Sequence, residues 1–235
     1  MAEKQKTIGL LGGMSWESTA SYYRELNEGI KARLGGLHSA KICLVSVDFE
    51  EIEKLQHAGD WDGTAVILSE AALAVERGGA DFLLICTNTM HKVAPQIEER
   101  ISIPILHIAD ATAQRLVSEG IKKVGLLGTR FTMEQEFYKD RITEKYGVEV
   151  IVPDEAERDV VHDVIYSELC LGAIRDESRA SYLAIIDTLT EQGAEAVILG
   201  CTEIALLVQQ RHTTTPLYDT TAIHAEQAVI RSLAR

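Results

Sequence analysis

Cysteine is scarce in this chain, with four residues in 235, and none of them forms a CxxC pair or falls at zinc-ligand spacing. That excludes a disulfide scaffold and a structural zinc cluster, and it fits free thiols in a reducing cytoplasm. Positive charge is also short: 23 Lys and Arg face 36 Asp and Glu, a formal net charge of −13. With no basic patch, nucleic acid and anionic membrane are not expected partners. No apolar run approaches the roughly 20 residues of a membrane span. The opening Met1-Ala-Glu-Lys-Gln-Lys6 leads straight into a short apolar segment broken by glycine, which does not read as a secretory signal. No GxGxxG fingerprint, metal cluster or pyridoxal-lysine motif is evident, so no cofactor is expected. No Pro/Gly/Ser-rich linker interrupts the chain. The remainder, 46% hydrophobic and 25% charged with mean hydropathy +0.01, is that of an ordinary globular protein.

What the chain does contain is a long internal repeat. The first half reads Ile8-Gly-Leu-Leu-Gly12, Ala80-Asp-Phe-Leu-Leu-Ile-Cys86-Thr-Asn-Thr89 and Ile103-Pro104-Ile105. The second reads Val124-Gly-Leu-Leu-Gly128, Ala194-Glu-Ala-Val-Ile-Leu-Gly-Cys201-Thr-Glu203 and Thr215-Pro216-Leu217. Gly12 precedes Cys86 by 74 positions and Gly128 precedes Cys201 by 73. A period this long marks duplicated halves rather than a short solenoid unit. Apolar runs alternating with helical patterns predict an α/β fold with two pseudo-symmetric domains, each a mainly parallel sheet flanked by helices.

Strands are expected at 7–11, 41–47, 81–85, around Ile105, and at 123–127, 148–152, 196–199 and 216–218. Helices are expected from Ser15, as N-cap, to Gly35, and over 61–77, 90–100, 133–146, 156–171 and 177–192, with a short one after Cys201 and a last one after Tyr218.

In such folds ligands sit beyond the carboxyl ends of the strands. Gly12-Gly13-Met14-Ser15, Cys86-Thr87-Asn88-Thr89, Gly128-Thr129 and Cys201-Thr202-Glu203 all fall at such turns. Cys86 and Cys201, read as equivalent points of the repeat, are the candidate acid and base. A helix start behind each would lower a thiol pKa toward neutrality, letting one thiolate remove a proton while the other thiol supplies one. A cysteine after a buried strand can equally be an inert packing residue, the reading given to Cys43 and Cys170. Thr87, Asn88, Thr89, Thr129, Thr202 and Glu203 offer donors and acceptors beside the thiols, although each would also serve as a helix cap. Asn88 and Thr202 are the preferred substrate contacts. His91 is a possible proton-transfer partner, ahead of His107 and His224.

At these motifs the sequence resembles the aspartate/glutamate racemase family of cofactor-independent amino-acid racemases over essentially its whole length. The segments that carry the resemblance are Ile8–Met14, Cys86–His91, Pro104 and Gly200–Glu203. Gly35-Gly-Leu-His-Ser39 and His107-Ile-Ala-Asp-Ala111 look like the enterobacterial-type branch. The resemblance implies an active site in the cleft between the two domains, with Cys86 and Cys201 as the two catalytic bases. Met14 and Ser15 (through their backbone), Asn88, Thr89, Thr129 and Thr202 would hold the amino acid substrate. It also implies a homodimer, and a C-terminal segment, 217–235, that completes a first domain of 1–108, leaving 109–216 as the second.

One departure concerns the side chain of the substrate. Aspartate-specific relatives carry an arginine after the second strand and a lysine late in the second domain. Here those regions read Asp48-Phe-Glu-Glu-Ile-Glu53 and Glu168-Leu-Cys170-Leu-Gly172, so both cations are missing, and a broader specificity or a different amino acid is expected in place of strict aspartate specificity. Arg130 or Lys92 are the possible replacements. The competing readings are a cyclic-amide racemase, a cis–trans isomerase or a decarboxylase of the same fold, and a two-domain binding protein without catalysis.

Overall fold

The computed structural model describes residues 5–234. The chain forms two compact units, one running through Ile108 and resuming at His224, the other Ala109–Ile223.

The first unit contains β1 (Ile8–Gly12), α1 (Trp16–Leu34), β2 (Ile42–Ser46), α2 (Phe49–Ala58), α3 (Trp61–Arg77), β3 (Phe82–Ile85), a 3-10 turn at Thr89–Val93 and α4 (Ala94–Glu98). Its strands are parallel in the order β2-β1-β3, and a single parallel bridge, Leu83 to Ile105, extends the sheet. After α5 (Ile108–Ser118), the second unit contains β4 (Lys123–Leu127), α6 (Arg130–Glu134), α7 (Glu136–Tyr146), β5 (Glu149–Ile151), α8 (Glu155–Ser167), α9 (Asp176–Glu191), β6 (Ala196–Leu199), α10 (Ile204–Leu207) and β7 (Leu217–Asp219). Its order is β5-β4-β6-β7, again all parallel. The last helix, α11 (Thr220–Leu233), starts in the second unit and continues into the first.

Both faces of β1 are covered, which is why it reads as an unbroken apolar run. Ile8 and Leu10 pack with Tyr22, Leu26 and Ile30 of α1 and with Ala228 and Val229 of α11. Leu11 packs with Ile52 of α2 and Leu68, Ala72 and Val75 of α3. The two central strands carry glycine at matching points for one reason. A Cβ on Gly9 would lie 2.6 Å from Val75 Cγ1, and one on Gly125 would lie 2.9 Å from Leu189 Cδ1, so α3 and α9 each rest directly on a strand backbone.

Several expectations change. The segment Phe49–Ala58 is a helix capped by Asp48, and α5 was not anticipated. The helix expected at 90–100 is a 3-10 turn followed by α4, and the one expected at 133–146 breaks at Gln135, whose backbone is extended. The strand expected around Ile105 reduces to one bridge. Residues 217–223 belong to the second unit rather than the first, because Leu217–Asp219 pairs in register with Val197–Leu199.

Candidate active site

Strand register corrects the equivalence of the two cysteines. In the first unit Leu11 pairs with Ile85, and the Cys86 N–H donates to the Leu11 carbonyl at 2.9 Å. In the second, Leu127 pairs with Leu199, and the Gly200 N–H donates to the Leu127 carbonyl at 2.6 Å. Cys86 therefore matches Gly200, and the residue that matches Cys201 is Thr87. Side chains alternate along a strand, so one position changes the face. Phe82, Leu84 and Cys86 lie in the core shared with α1, whereas Leu83 and Ile85 face the opposite core. Cys201 lies on the side of Val197 and Leu199, the counterpart of the Leu83–Ile85 face. Cys86 is fully buried, while Thr87 and Cys201 are both partly exposed. The signal was present in the sequence as the one-residue difference in spacing.

The turn after β1 is shaped by glycine. Gly13 has φ +97°, and a Cβ there would lie 2.2 Å from the Val47 carbonyl oxygen. Thr19 Oγ1 accepts from the Gly13 N–H at 2.8 Å and donates to the Ser15 carbonyl at 2.9 Å. Ser15 caps α1, its Oγ accepting from the Ser18 N–H at 3.3 Å, and the Met14 side chain is buried in the core. Ser18 Oγ in turn donates to the Cys86 carbonyl at 3.0 Å, tying α1 to the end of β3. The 3-10 turn that follows carries Asn88 and Thr89, both buried. The Thr87 hydroxyl makes no hydrogen bond among the described residues.

His91, also buried, donates from Nδ1 to the Thr87 carbonyl at 2.8 Å, while its Nε2 accepts from the Ile108 N–H at 3.3 Å. With both ring nitrogens bound to backbone, the geometry does not favour His91 as a direct proton carrier. The His107 ring packs against it at a tilt of 55° with ring centroids 4.4 Å apart, and His224 lies 6.1 Å away.

In the second unit the Cys201 thiol donates to Glu203 Oε2 at 3.0 Å. Glu203 is buried. Thr202 is reached by the Thr221 hydroxyl at 3.1 Å, and the Thr220 hydroxyl donates to the Leu199 carbonyl at 2.9 Å, so the start of α11 braces this turn. Thr129 caps α6, its Oγ1 accepting from the Thr132 N–H at 3.4 Å. Ser18, Thr19, Thr220 and Thr221 thus belong to the framework of these turns, and sequence gave no sign of it.

Neither thiol has the lowered pKa expected of a helix start. Burial pushes Cys86 up, and Cys201 is raised by burial first, then by the Glu203 carboxylate and by Cys170. The helices behind them, a 3-10 turn and a single turn of α10, are too short to supply a large dipole. In the resting protein both cysteines carry their protons. Arg130 is engaged by Asp159 and Glu134, and Lys92 lies over the Trp61 ring at 4.0 Å. Cys170 packs among apolar residues of the second unit, and Cys43 lies against Gly78, where an added Cβ would sit 2.3 Å from its sulfur. Among the described residues no group of His, Cys, Asp and Glu is arranged to hold a metal, and no helix is long and apolar enough to cross a membrane.

The model of the Asp/Glu/Hydantoin racemase family matches residues 11–228. The chain is 55% identical to a candidate Asp/Glu racemase of known crystal structure from Yersinia pestis, with TM-score 0.92 over 97% of this chain and 100% of that one. An aspartate racemase homologue from Pyrococcus horikoshii is 32% identical, with TM-score 0.84 over 97% and 99% of the two chains. A broad-specificity amino-acid racemase of Bacillus subtilis is 25% identical over 236 residues, 97% of this chain and 98% of that protein.

Proposed function

Because the chain belongs to the Asp/Glu/hydantoin racemase family, we propose that it interconverts the enantiomers of an amino acid without a cofactor, using opposed proton-transfer groups, one from each half. Cys201 is one of them. The partly exposed cysteine whose thiol is hydrogen-bonded to a buried carboxylate carries this reading. In one direction the opposed group of the first half releases its own proton to solvent and removes the α-hydrogen, and Cys201 gives its proton to the other face of the α-carbon. In the other Cys201 passes its proton to Glu203, the resulting thiolate removes the α-hydrogen, and the opposed group gives its proton to the other face. The first half contributes the Cys86–Thr87 strand end. Cys86 is the thiol that the family resemblance names, but register, burial and face favour the Thr87 hydroxyl as the group opposed to Cys201.

The backbone of Met14 and Ser15, with Asn88, Thr89, Thr129 and Thr202, would hold the α-carboxylate and amino group. Turn N–H groups would stabilise the carbanion-like state. Specificity extends to neutral side chains, since Arg130 and Lys92 are engaged elsewhere and the Cys170 region offers an apolar surface. The active enzyme is a homodimer in the cytoplasm.

The test is a chiral panel of acidic and neutral amino acids without added cofactor, combined with α-hydrogen exchange in D₂O. Cys201→Ala should abolish racemisation, Thr87→Val should reduce it by about 100-fold or more, and Cys86→Ala should leave most of it. Full loss in Cys86→Ala with activity kept in Thr87→Val would restore the two-thiol mechanism. Because the equilibrium constant is one, kcat/KM must be equal in the two directions, so unlike groups would show as kcat and KM values that differ in the same ratio.

A single partly exposed cysteine is also what a decarboxylase would require. Carbon dioxide release from α-substituted malonates without any enantiomer interconversion would favour that reading instead.

A further inference from the structure

We infer that His91 is a positioning residue, which fixes the turn bearing Thr87 through its backbone carbonyl. The inference deepens the racemase reading and rests on it.

The two units differ at the place where His91 sits. In the second, β6 and β7 pair over three residues, Val197 with Leu217 through Leu199 with Asp219, so main-chain bonds carry the sheet up to the Cys201 turn. In the first, the corresponding ladder is a single bridge, Leu83 with Ile105, closed by the Leu106 N–H to the Leu83 carbonyl at 2.9 Å. Beyond it the pairing stops short of Thr87. The imidazole of His91 spans this gap, joining the Thr87 carbonyl at 2.8 Å to the Ile108 N–H at 3.3 Å.

By register Ile108 matches Thr220, whose hydroxyl holds the Leu199 carbonyl, the match of Ile85, at the end of the strand that leads into the equivalent turn. A side chain thus does in one unit what ladder and hydroxyl do in the other. The ring has little freedom. It is 2% exposed, and the His107 ring lies 4.4 Å away. One nitrogen donates and the other accepts, which specifies the neutral form with its proton on Nδ1. A proton delivered by His91 would require breaking one of these bonds.

Two substitutions separate the bonds. In His91→Asn the amide nitrogen falls near the position of Nδ1 and retains the donation to Thr87. In His91→Gln the amide oxygen falls near Nε2 and retains the bond from Ile108. Melting temperature, kcat, KM and the pH dependence of kcat are measured for both and for the unaltered protein. We expect both variants to lose stability similarly. His91→Gln should lose about 100-fold in kcat, the scale of a misplacement near 1 Å, with KM changed by less than about threefold. His91→Asn should stay within about fivefold of the original, and the pH profile should keep its shape in both.

Equal kcat in the two variants, or losses that follow melting temperature alone, would reduce His91 to a structural role. Loss of a pH-profile limb in both would make it a proton carrier. Either result overturns the inference while leaving the racemase reading intact. Absence of racemisation and α-hydrogen exchange in the unaltered protein would instead overturn the reading beneath it.

Discussion

Lowering pH from 7 to 4.5 should destabilise the first unit through His224. This imidazole is fully buried. Its Nδ1 accepts from the Tyr22 hydroxyl at 2.7 Å, and its Nε2 donates to the Leu106 carbonyl at 2.6 Å. Burial lowers its pKa from the ordinary 6.5 to about 4, with the Leu106 bond opposing the shift. In the unfolded chain the group takes up a proton below pH 6.5; in the folded protein it resists until about pH 4. Between those values the unfolded state binds more protons, so stability falls as pH falls and the loss is complete below the folded pKa. A shift of this size corresponds to about 2–3 kcal/mol by pH 4.5. That is a large part of the ~5–15 kcal/mol that typically separates folded from unfolded domains.

The assay is urea unfolding at a series of pH values for the protein and for His224→Gln, which keeps a donor toward Leu106 but does not titrate. Other groups contribute equally to both, so the difference between the two curves isolates His224. The unaltered protein should be the more stable at pH 7.5, and its advantage should shrink by about 2–3 kcal/mol by pH 4.5. Parallel curves, or an advantage that grows as pH falls, would refute the reasoning.

Other outcomes follow from single contacts. Glu203→Gln removes a carboxylate that holds the Cys201 proton, so the pH at which Cys201 is alkylated should move down, while burial keeps it above that of an exposed thiol; Cys86 should stay unlabelled in the native protein, as peptide mass analysis would show. Gly9→Ala brings a methyl to 2.8 Å from the Phe82 carbonyl oxygen, a backbone atom that cannot yield locally, and should cost about 2–3 kcal/mol in urea unfolding. Asp154→Ala removes the side-chain half of the capping box at the start of α8, the bond from the Glu157 N–H to Asp154 Oδ1, leaves the bond from the backbone N–H of residue 154 to Glu157 Oε2, and should cost about 1 kcal/mol. Burial raises the Asp219 pKa although its Oδ1 accepts from the Thr221 and Ala222 N–H groups, so the folded state holds that proton more tightly and stability falls as pH rises through this window; Asp219→Asn keeps the cap and should flatten that part of the stability profile.

Local signals foretold the elements that local chemistry determines. Ser15 and Gly35 bound α1 as a cap and a terminator, and Trp61–Arg77 is closed by Gly78, so both helices could be read from residues within them. The run Phe49–Ala58 could not, because only Ile52 and Gln56 are fully buried, Phe49 and Leu55 are partly buried, and the remaining residues are charged or exposed. The helix at Ile108–Ser118 was hidden for a different reason: it follows the strand-like Ile105 with almost no turn between them. At the candidate site, the residues singled out in sequence do lie at strand ends. What fixes them there are contacts such as Ser18 with Cys86, 68 residues apart, which no periodicity encodes.

The two cysteines show why residue type and approximate spacing are insufficient to assign chemistry in a duplicated α/β protein. A strand reverses its facing at every residue, so an offset of one between halves moves a side chain from one core to the other while leaving the sequence pattern almost unchanged. Cys86 and Cys201 differ by that offset. One consequently loses water entirely and has no charged partner among the described residues, and the other keeps partial exposure beside a carboxylate. Their raised pKa values then have different meanings. For Cys86, burial alone makes ionisation costly. For Cys201, burial leads the rise and the neighbouring Glu203 carboxylate adds to it. The repeat locates the strand ends, but the pleat decides which face each side chain there presents.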